Sequence, residues 1–559
     1  MACPRGGYCG VCLSLHARAV LSGGRTTREH AVPEHRAGRD AAANCRAVCT
    51  PRSRAGRRGR PVCAGHAAHA GGRALMRDIL RNRMGWLHTW VGFVSGLVLV
   101  VVFTGGTLAM FDTEITRWMQ PELAMLPQAP LTAEGLNHAG EQVQALREKE
   151  QTVFLALPSV RDPVLRILHY DGHAFVGPAL DPRDGTDLNV RQTQGGQLFF
   201  DLHQSLYRGP VWGNMVTEVV GIGLLVAVLS GLIIHFRNLV PDLVLFRPFA
   251  APGRAWLDAH LMAGVLMLPF IVMITYTGVV IHGPRLFPMI SNGHGGKAGR
   301  PGHDRAHDAA PFAPLAPMWK QAEAVFGEGN IGFIRFEPRA VSFYRSDAAD
   351  FVMTRDRVDF SPRDGQQIGV KRDERGDQSL GGIIRGLHYV RWGTLGLRWL
   401  YFICGAIGSA MMSAGLVLFV IKYRRTHGGT VRLALAEALT LAVTLGLPLA
   451  SLGFLWSNRL IDPSLAHREL LEAKVFFLLW LCALLHGVLR SCTGLVRTAW
   501  REQAWGIAAL GCGLPLLDVV SRRATAFTPG LDVYLAVDAC AFGIGILALW
   551  GQSMIVHDR

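Results

Sequence analysis

Charge is scarce in this sequence wherever the chain runs long. Only 18% of the 559 residues are Asp, Glu, Lys or Arg, while 50% are hydrophobic and the mean hydropathy is positive. That excludes a soluble globular protein of this length, which breaks its apolar runs more often, and places the chain among membrane proteins. Acids are scarcer than bases: the formal charge is +15. Ten of those charges fall in residues 1–75, where thirteen arginines meet only Glu29, Glu34 and Asp40. Matched cysteine pairs are missing too. Six of the eleven cysteines (Cys3, Cys9, Cys12, Cys45, Cys49 and Cys63) sit in that same basic segment, and Cys9 and Cys12 have no second pair to complete a zinc knuckle. The other five (Cys404, Cys482, Cys492, Cys512 and Cys540) lie in or beside apolar runs, as small membrane hydrophobes rather than a disulfide framework.

Residues 1–75 also lack a hydrophobic period, a continuous apolar signal core and a small-residue cleavage site. They are expected to be a disordered or non-native extension, with Met76 or Met84 opening the functional chain. No strand followed by a Gly-rich turn and helix occurs in the cytoplasmic segments, so a fused nicotinamide-binding or flavodoxin module is not expected. No nucleic-acid partner is expected.

What the sequence has is hydrocarbon. Crossing a bilayer core of about 30 Å takes ~20 helical residues, and runs of that kind occur near 87–111, 215–236, 256–282, 398–421, 433–456, 474–490, 503–520 and 531–551. Eight spanning helices are predicted. Basic residues crowd the start (Arg77, Arg81, Arg83) and the second-to-third, fourth-to-fifth and sixth-to-seventh connections (Arg237, Arg247, Arg254; Lys422, Arg424, Arg425, Arg432; Arg490, Arg497, Arg501). The positive-inside rule puts these segments and both termini in the cytoplasm of a bacterium, with the protein in its inner membrane.

The predicted organisation is an extension over 1–75, a cytoplasmic start and first span over 76–111, and a loop over 112–214. Spans two and three follow over 215–282, then a second loop over 283–397, a fourth span over 398–425, and a four-helix membrane region over 426–559. Both loops fall on the periplasmic side. "TVFLALPSV" and "VLRILHY" in the first, "IGFIRFEP" and "AVSFYR" in the second, alternate as strands do, so two small α+β domains are expected. The stretch "SNGHGGKAGRPGHDRAHDAAP" carries His294, His303 and His307, which read as a solvated linker more readily than as a metal trap.

The chain also repeats itself. "HTWVG" (88–92) matches "HLMAG" (260–264), and the Thr-Gly steps at Thr104 and Thr277 follow those histidines by 16 and 17 residues. Each loop then carries Pro-Arg-Asp-Gly (182–185, 362–365) and Leu-His (202–203, 387–388), and Gly231 and Gly415 stand 28 and 27 residues beyond the second histidine. Four features in the same order indicate a duplicated unit with two spans per copy, related by an axis along the membrane normal. His88 and His260 are then equivalent near one face, His203 and His388 near the other. His235 ends the second span, where the equivalent residue is Lys422, and His282 ends the third.

Isolated histidines near a membrane interface, among which His427, His467 and His486 are counted, read as ordinary interfacial polar residues. Four that recur at equivalent places are different. Neutral imidazole suits haem iron, zinc or copper. Apart from Asp258, no carboxylate or thiolate accompanies the pairs in the apolar runs. Gly92, Gly105, Gly221, Gly223, Gly231 and Gly264 are expected to let a flat macrocycle lie against helix backbones. Two facing imidazoles would hold a b-type haem axially, and two such haems would make a wire across the membrane.

The motifs "WLHTWVGFVSGLVLVVVFTGGTLAMF", "LHQSLYRG", "SGLIIHFRN", "AWLDAHLMAG", "MITYTGVVIHG" and "GLHYVRWG" resemble those of the PepSY-associated transmembrane family of bacterial inner-membrane proteins, over about residues 80–425. The resemblance implies periplasmic PepSY modules, iron regulation and haem-dependent reduction of ferric siderophores. It carries the haem ligands to His88, His203, His260 and His388, with His235 belonging to the form with "HFRN" and "WLDAH". One departure is "LPFIVMITYTG", where some relatives are expected to have a further histidine before the methionine. The expected activity is therefore a ferric-siderophore reductase holding two b-type haems, fed by a separate cytoplasmic protein or a membrane quinol. A basic set in the loops (Arg161, Arg166, Arg183, Arg191, Arg208, Arg335, Arg339 and Arg345) would attract an anionic chelate docked between the two loop domains. Two other readings stand beside it: a non-catalytic PepSY-containing binding or regulatory protein, and a siderophore or iron transporter.

Overall fold

The computed structural model describes residues 65–126, 129–147, 153–170, 175–209, 211–236, 247, 250–286, 311–372, 376–522 and 532–557. Cys9, Cys12, His294, His303 and His307 lie outside them. The chain divides into two units, Met1–Ala70 and Gly71–Arg559. Of the first, only the opening turns of a helix are described; everything below concerns the second.

Among the described residues seven helices are long and apolar enough to cross a membrane, and a bent pair makes an eighth span if counted as one. They are α1 (Gly65–Ala109), α5 (Trp212–His235), the pair α6 (Pro252–Leu266) and α7 (Leu268–Leu286), and α10 (Leu395–His427). Then come α11 (Val431–Leu441) continued as α12 (Leu447–Leu460), α13 (Arg468–Cys492), α14 (Val496–Arg522) and α15 (Asp532–His557). Rows of leucine such as Leu478, Leu481, Leu485 and Leu489 stand exposed on α13. A surface of that kind is stable facing lipid and costly facing water. The chain is a multi-pass membrane protein.

Two spans depart from the straight helices expected. The third bends by 67° at Met267, because Pro269 has no N–H for the Val265 carbonyl and its ring crowds that oxygen. His260 and His282 therefore sit on different segments, and the unbroken rod expected between them does not exist. The fifth span widens into a π-helical turn over Ala442–Gly446, just ahead of Pro448. There the proline removes the bond to Thr444 and the extra residue absorbs the clash.

Between the spans lie the short helices α2 (Asp112–Trp118), α3 (Ala133–Arg147), α4 (Gln197–Ser205), α8 (Leu315–Phe326) and α9 (Gly376–Tyr389). The strands are β1 (Val153–Ala156), β2 (Leu165–Tyr170), β3 (Phe175–Val176), β4 (Ala179–Leu180), β5 (Ile331–Phe336), β6 (Val341–Arg345), β7 (Arg357–Phe360) and β8 (Gln367–Lys371). The expectation of two separate α+β domains is corrected here. All eight strands form one sheet, ordered β3-β2-β1-β5-β6-β7-β8 with β4 beside β2. β1 from the first loop pairs antiparallel with β5 from the second, Leu155 opposite Ile334. In a half taken alone each of these strands is an open edge, and joining them removes both edges. The two halves share one core, in which Leu155, Ile167, Ile334 and Phe343 are fully buried. α3 and α8 pack together over it, with the Ala316 amide donating to Asn137 Oδ1 at 3.0 Å. The two Pro-Arg-Asp-Gly turns occupy matching places. Gly185 and Gly365 have φ of +73° and +70°, and each turn abuts one of those helices. A side chain at either glycine would be strained by that φ.

Ion pairs join the sheet to the spans. Asp112 accepts from Arg391 at 2.6 and 3.0 Å and from Arg161 at 3.0 Å, while Glu114 accepts from Arg161 at 2.6 Å and Arg398 at 2.7 Å. Burial pushes the Asp112 carboxyl up, but Arg391 and Arg161 outweigh it and hold the pKa at about 2.

The last four spans attach through buried polar groups. Arg459 pairs with Asp518 at 2.7 Å, both side chains fully buried, and Arg522 adds a second pair to Asp518 at 2.6 Å. The Arg459 guanidinium lies 4.1 Å from the centre of the Trp118 ring, whose Nε1 donates to Asp538 at 3.0 Å. Glu472 accepts from Thr193 Oγ1 (2.6 Å), the Gln194 amide (3.1 Å) and Asn458 (2.8 Å), and pairs with Arg468 at 2.8 Å.

Arg459→Ala removes one of the two arginines paired with Asp518 and empties the space over Trp118. Breaking a buried pair costs about 3–5 kcal/mol, so the detergent-solubilised protein is expected to lose most of its thermal stability margin in a melting experiment. The Asp112 contribution has the opposite sign to an acid switch in the neutral range. A carboxyl held low in the folded state stabilises above its unfolded value of about 4 and loses that stabilisation only as pH falls towards 2. Thermal midpoints of the Asp112→Asn variant and the parent, measured from pH 7 downwards, are expected to converge only below about pH 4.

Candidate cofactor site: two layers of paired histidines

The spans bring the equivalent histidines together. The rings of His88 (α1) and His260 (α6) lie 6.2 Å apart, centre to centre, at 68°; those of His203 (α4) and His388 (α9) lie 5.8 Å apart at 28°. The second pair lies on the short helices between sheet and spans and forms the sheet-side layer. The first is the distal layer.

Each ring is seated in the same way. His88 Nδ1 donates to the Ala227 carbonyl at 2.9 Å, His203 Nδ1 to Val102 at 2.8 Å and His260 Nδ1 to Met411 at 2.8 Å. His388 Nδ1 lies 3.0 Å from Thr277 Oγ1, which itself donates to Met273 and so accepts here. Four residues past each of the three carbonyls stands a glycine on which the ring rests: Gly231 under His88, Gly106 under His203, Gly415 under His260. Gly278 plays that part for His388. A Cβ on these glycines would come within 2.6–3.1 Å of the imidazole. Bonding through Nδ1 fixes the tautomer and leaves the lone pair on Nε2, the arrangement of metal-ligating histidines.

His203 and His388 lie outside the spanning segments. Burial holds both imidazoles below the usual histidine range, and His388, with His203 close by, falls to about 3. Both are neutral at ordinary pH, the form that ligates metal.

Each layer opens on an apolar cavity. The distal one, about 280 Å³, is lined by His88, His260 and His235 among leucines, Phe93, Phe419 and Lys422. The sheet-side one, about 130 Å³, is lined by His203, His388 and His282, with Gln204, Glu218, Tyr389 and Arg391. His235 and His282 thus border the cavities without forming the ring pairs. Of the six glycines expected to admit a macrocycle, Gly92 meets nothing within 4 Å, Gly264 meets only Met411 at 3.9 Å, and both line the distal cavity. Gly231 also borders the distal cavity, where it seats His88, and Gly221 borders the sheet-side one, facing Val279; Gly105 lies on the α4 backbone and Gly223 faces Ser95.

Among the described residues no group of three or more His, Cys, Asp or Glu could hold a metal ion. A bare ion bound by two imidazoles would be short of the four ligands zinc takes. A metal that brings its own equatorial ligands needs only the two. Imidazoles bound through one nitrogen at about 2 Å on either side of a single metal put their ring centres about 6 Å apart, the separation both pairs show. The residues present fit a bis-imidazole macrocycle in each layer.

The family described as the PepSY-associated transmembrane region matches residues 85–422, more than half of the chain. No curated protein matches the sequence.

Gly106→Ala places a Cβ 2.6 Å from His203 Nδ1. It is expected to unseat the ring from Val102, read as the loss of one Nδ1–H histidine signal in ¹⁵N spectra of histidine-labelled protein. Gly92→Ala, which faces open space, leaves the spectrum unchanged.

Proposed function

The chain belongs to the PepSY-associated transmembrane family, and from that premise we propose that it is an inner-membrane b-type haem oxidoreductase that passes electrons across the membrane to reduce a ferric siderophore or similar chelate in the periplasm, releasing ferrous iron. The observation that carries this is the pair of imidazole layers, each pair spaced for one metal and each ring locked by its own backbone or hydroxyl acceptor. Bound there, a haem would supply a one-electron ferric/ferrous couple, which suits electron transfer.

The protein's own residues do the rest. His88 with His260, and His203 with His388, would hold the two haems; His235 shares the distal cavity and is the alternative ligand there. Seating on backbone carbonyls, or on the Thr277 hydroxyl for His388, would hold each ring in place. The linings of both cavities are mostly apolar. The shared sheet is the periplasmic PepSY-like part in this reading, both termini are cytoplasmic, and the matched ring pairs support a duplicated two-span unit. The electron donor is a separate cytoplasmic protein or a membrane quinol. Reduction loosens the chelate because iron of lower charge holds anionic oxygen less strongly.

One observation favours a different class. The broken third span, α6 to α7, is the kind of helix that transporters use at a binding site. Reconstituted protein that moves a chelate across vesicles without reducing it would favour that reading, and a colourless, correctly folded preparation would favour a non-catalytic binding protein.

Purified protein is expected to show a reducible b-type Soret band with two haems per chain. His203→Ala and His388→Ala are each expected to halve the haem content by pyridine haemochrome assay, as are His88→Ala and His260→Ala, whereas His235→Ala keeps both. Retention of two haems in His203→Ala would overturn the sheet-side pair.

A further inference from the structure

The arginines expected from the sequence to draw in an anionic chelate are mostly committed elsewhere. Arg161 holds Asp112 and Glu114, Arg191 holds Glu122, Arg183 holds Asp181, and Arg166 is paired with Asp162. Because the two halves share one sheet and one core, the expected docking place between two loop domains does not form. A cation of another kind stands in the distal cavity.

Lys422 lines that cavity, and among the described residues that do so it is the one permanently charged side chain; no carboxylate is among them. Lys422 makes no ion pair with any described residue, whereas Arg424, two positions on, is held by Glu437 at 2.6 Å. Its place on α10 follows from the seat of a histidine. Lys422 stands seven residues beyond Gly415, on which His260 rests, so the two share one face of the helix and lie about 10 Å apart along its axis. On α5, His235 stands four residues beyond Gly231, the seat of His88, and also lines the cavity. In the other direction along the same helices, the cavity is walled by Leu224 and Met411, with Leu99 and Ile271 beside them, all four buried. Lys422 itself is exposed. The cavity thus has a buried apolar end and an exposed cationic one, and along α5 and α10 the seats of the two imidazoles fall between them.

We propose that Lys422 receives the ionised carboxylates of the macrocycle bound in the distal layer, and so sets which way round it enters. The proposal rests on the haem reading of that layer: a b-type haem is an apolar disc that carries two carboxylate side chains on one edge. A carboxylate placed against Leu224 and Ile271 would have to leave water with no partner, which is costly. At the exposed end the Lys422 ammonium offers a charge-assisted hydrogen bond on a flexible stem, and it gives up little of its own hydration to do so.

The test compares two macrocycles that differ only in those carboxylates, ferric protoporphyrin and its dimethyl ester. The full chain carrying His203→Ala, which leaves the distal pair as the intact one, is purified in detergent free of haem and titrated with each, followed by the Soret band. Lys422→Gln and Lys422→Arg are made in the same background. Lys422→Gln is expected to weaken binding of the diacid roughly three- to tenfold and to leave binding of the ester unchanged, which also shows that the variant folds; Lys422→Arg keeps the parent's affinity for both. Equal weakening of diacid and ester, or no change for either, overturns the proposal and leaves the haem reading standing. So does phosphatidylglycerol that copurifies with the parent, is lost from Lys422→Gln and leaves the diacid affinity the same, because Lys422 would then be a lipid-headgroup contact. Uptake of neither macrocycle by the parent would sink the haem reading of the distal pair and the proposal with it.

Discussion

Everything in the spanning core depends on one small contact: a histidine ring resting on a glycine of a neighbouring helix and giving its Nδ1 proton to an acceptor there. A helical carbonyl is normally engaged four residues on, and any Cβ at that later position would keep a ring off it. Glycine at Gly231, Gly415 and Gly106 removes the obstacle at the cost of some helix propensity. Each seat lies within one half of the chain: His88 on α5, His203 on α1, His260 on α10, His388 on α7. The halves then face each other, and each contributes one imidazole to each layer. A ligand shared by such a pair binds only when the halves are together, so its binding free energy adds to the stability of their interface.

The four last spans have no place in that symmetry, and their polar contacts show what they hold. Glu472, Asn458 and Arg468 grip the backbone and side chains of residues 192–194. Two residues later Gly196 meets Asp112 too closely to carry a side chain, its amide donates to Thr116, and α4 begins. Fully buried charges are expensive in a membrane protein unless every group finds a partner. This network is therefore best understood as a scaffold that fixes where α4, and with it His203, enters the core.

Much of this was legible beforehand, and the reasons differ by level. Hydropathy located the spans because lipid tolerates little else, and the repeated motifs made His88 equivalent to His260 and His203 to His388, the rings that the fold brings together, while leaving His235 as a rival for the distal layer. Strand periodicity found the hairpins but not their union, since alternation reports which face is buried and says nothing about which edge pairs with which. The bend at Met267 had its signal in Pro269, masked by the unbroken apolar run around it. The glycine seats were half visible: Gly231 and Gly415 stood out as a repeat, yet Gly231 read as room for a macrocycle, because only the fold shows that an imidazole occupies that room. The arginines of the loops were the least legible, as a guanidinium committed to Asp112 or Glu122 looks the same in sequence as one facing water.

The two sheet-side histidines occupy matching places in the repeated motifs but are braced by different means. α4 is held from the side of the last four spans, through groups that are almost wholly buried. α9 is held by nearer contacts: Gly382 and Gly386 rest on Val352, Met353 and Phe351, Tyr401 Oη donates to the Leu387 carbonyl at 3.0 Å, and Arg391 just beyond the helix pairs with Asp112. A solute approaching His203 along its brace would have to displace a network of paired charges. On the α9 side the half-buried ring of Tyr389 meets that of His388 edge to face. His388 is the more buried of the two, so the asymmetry lies in what fixes each ring, a polar network borrowed from the last four spans for one and the sheet's own connection for the other.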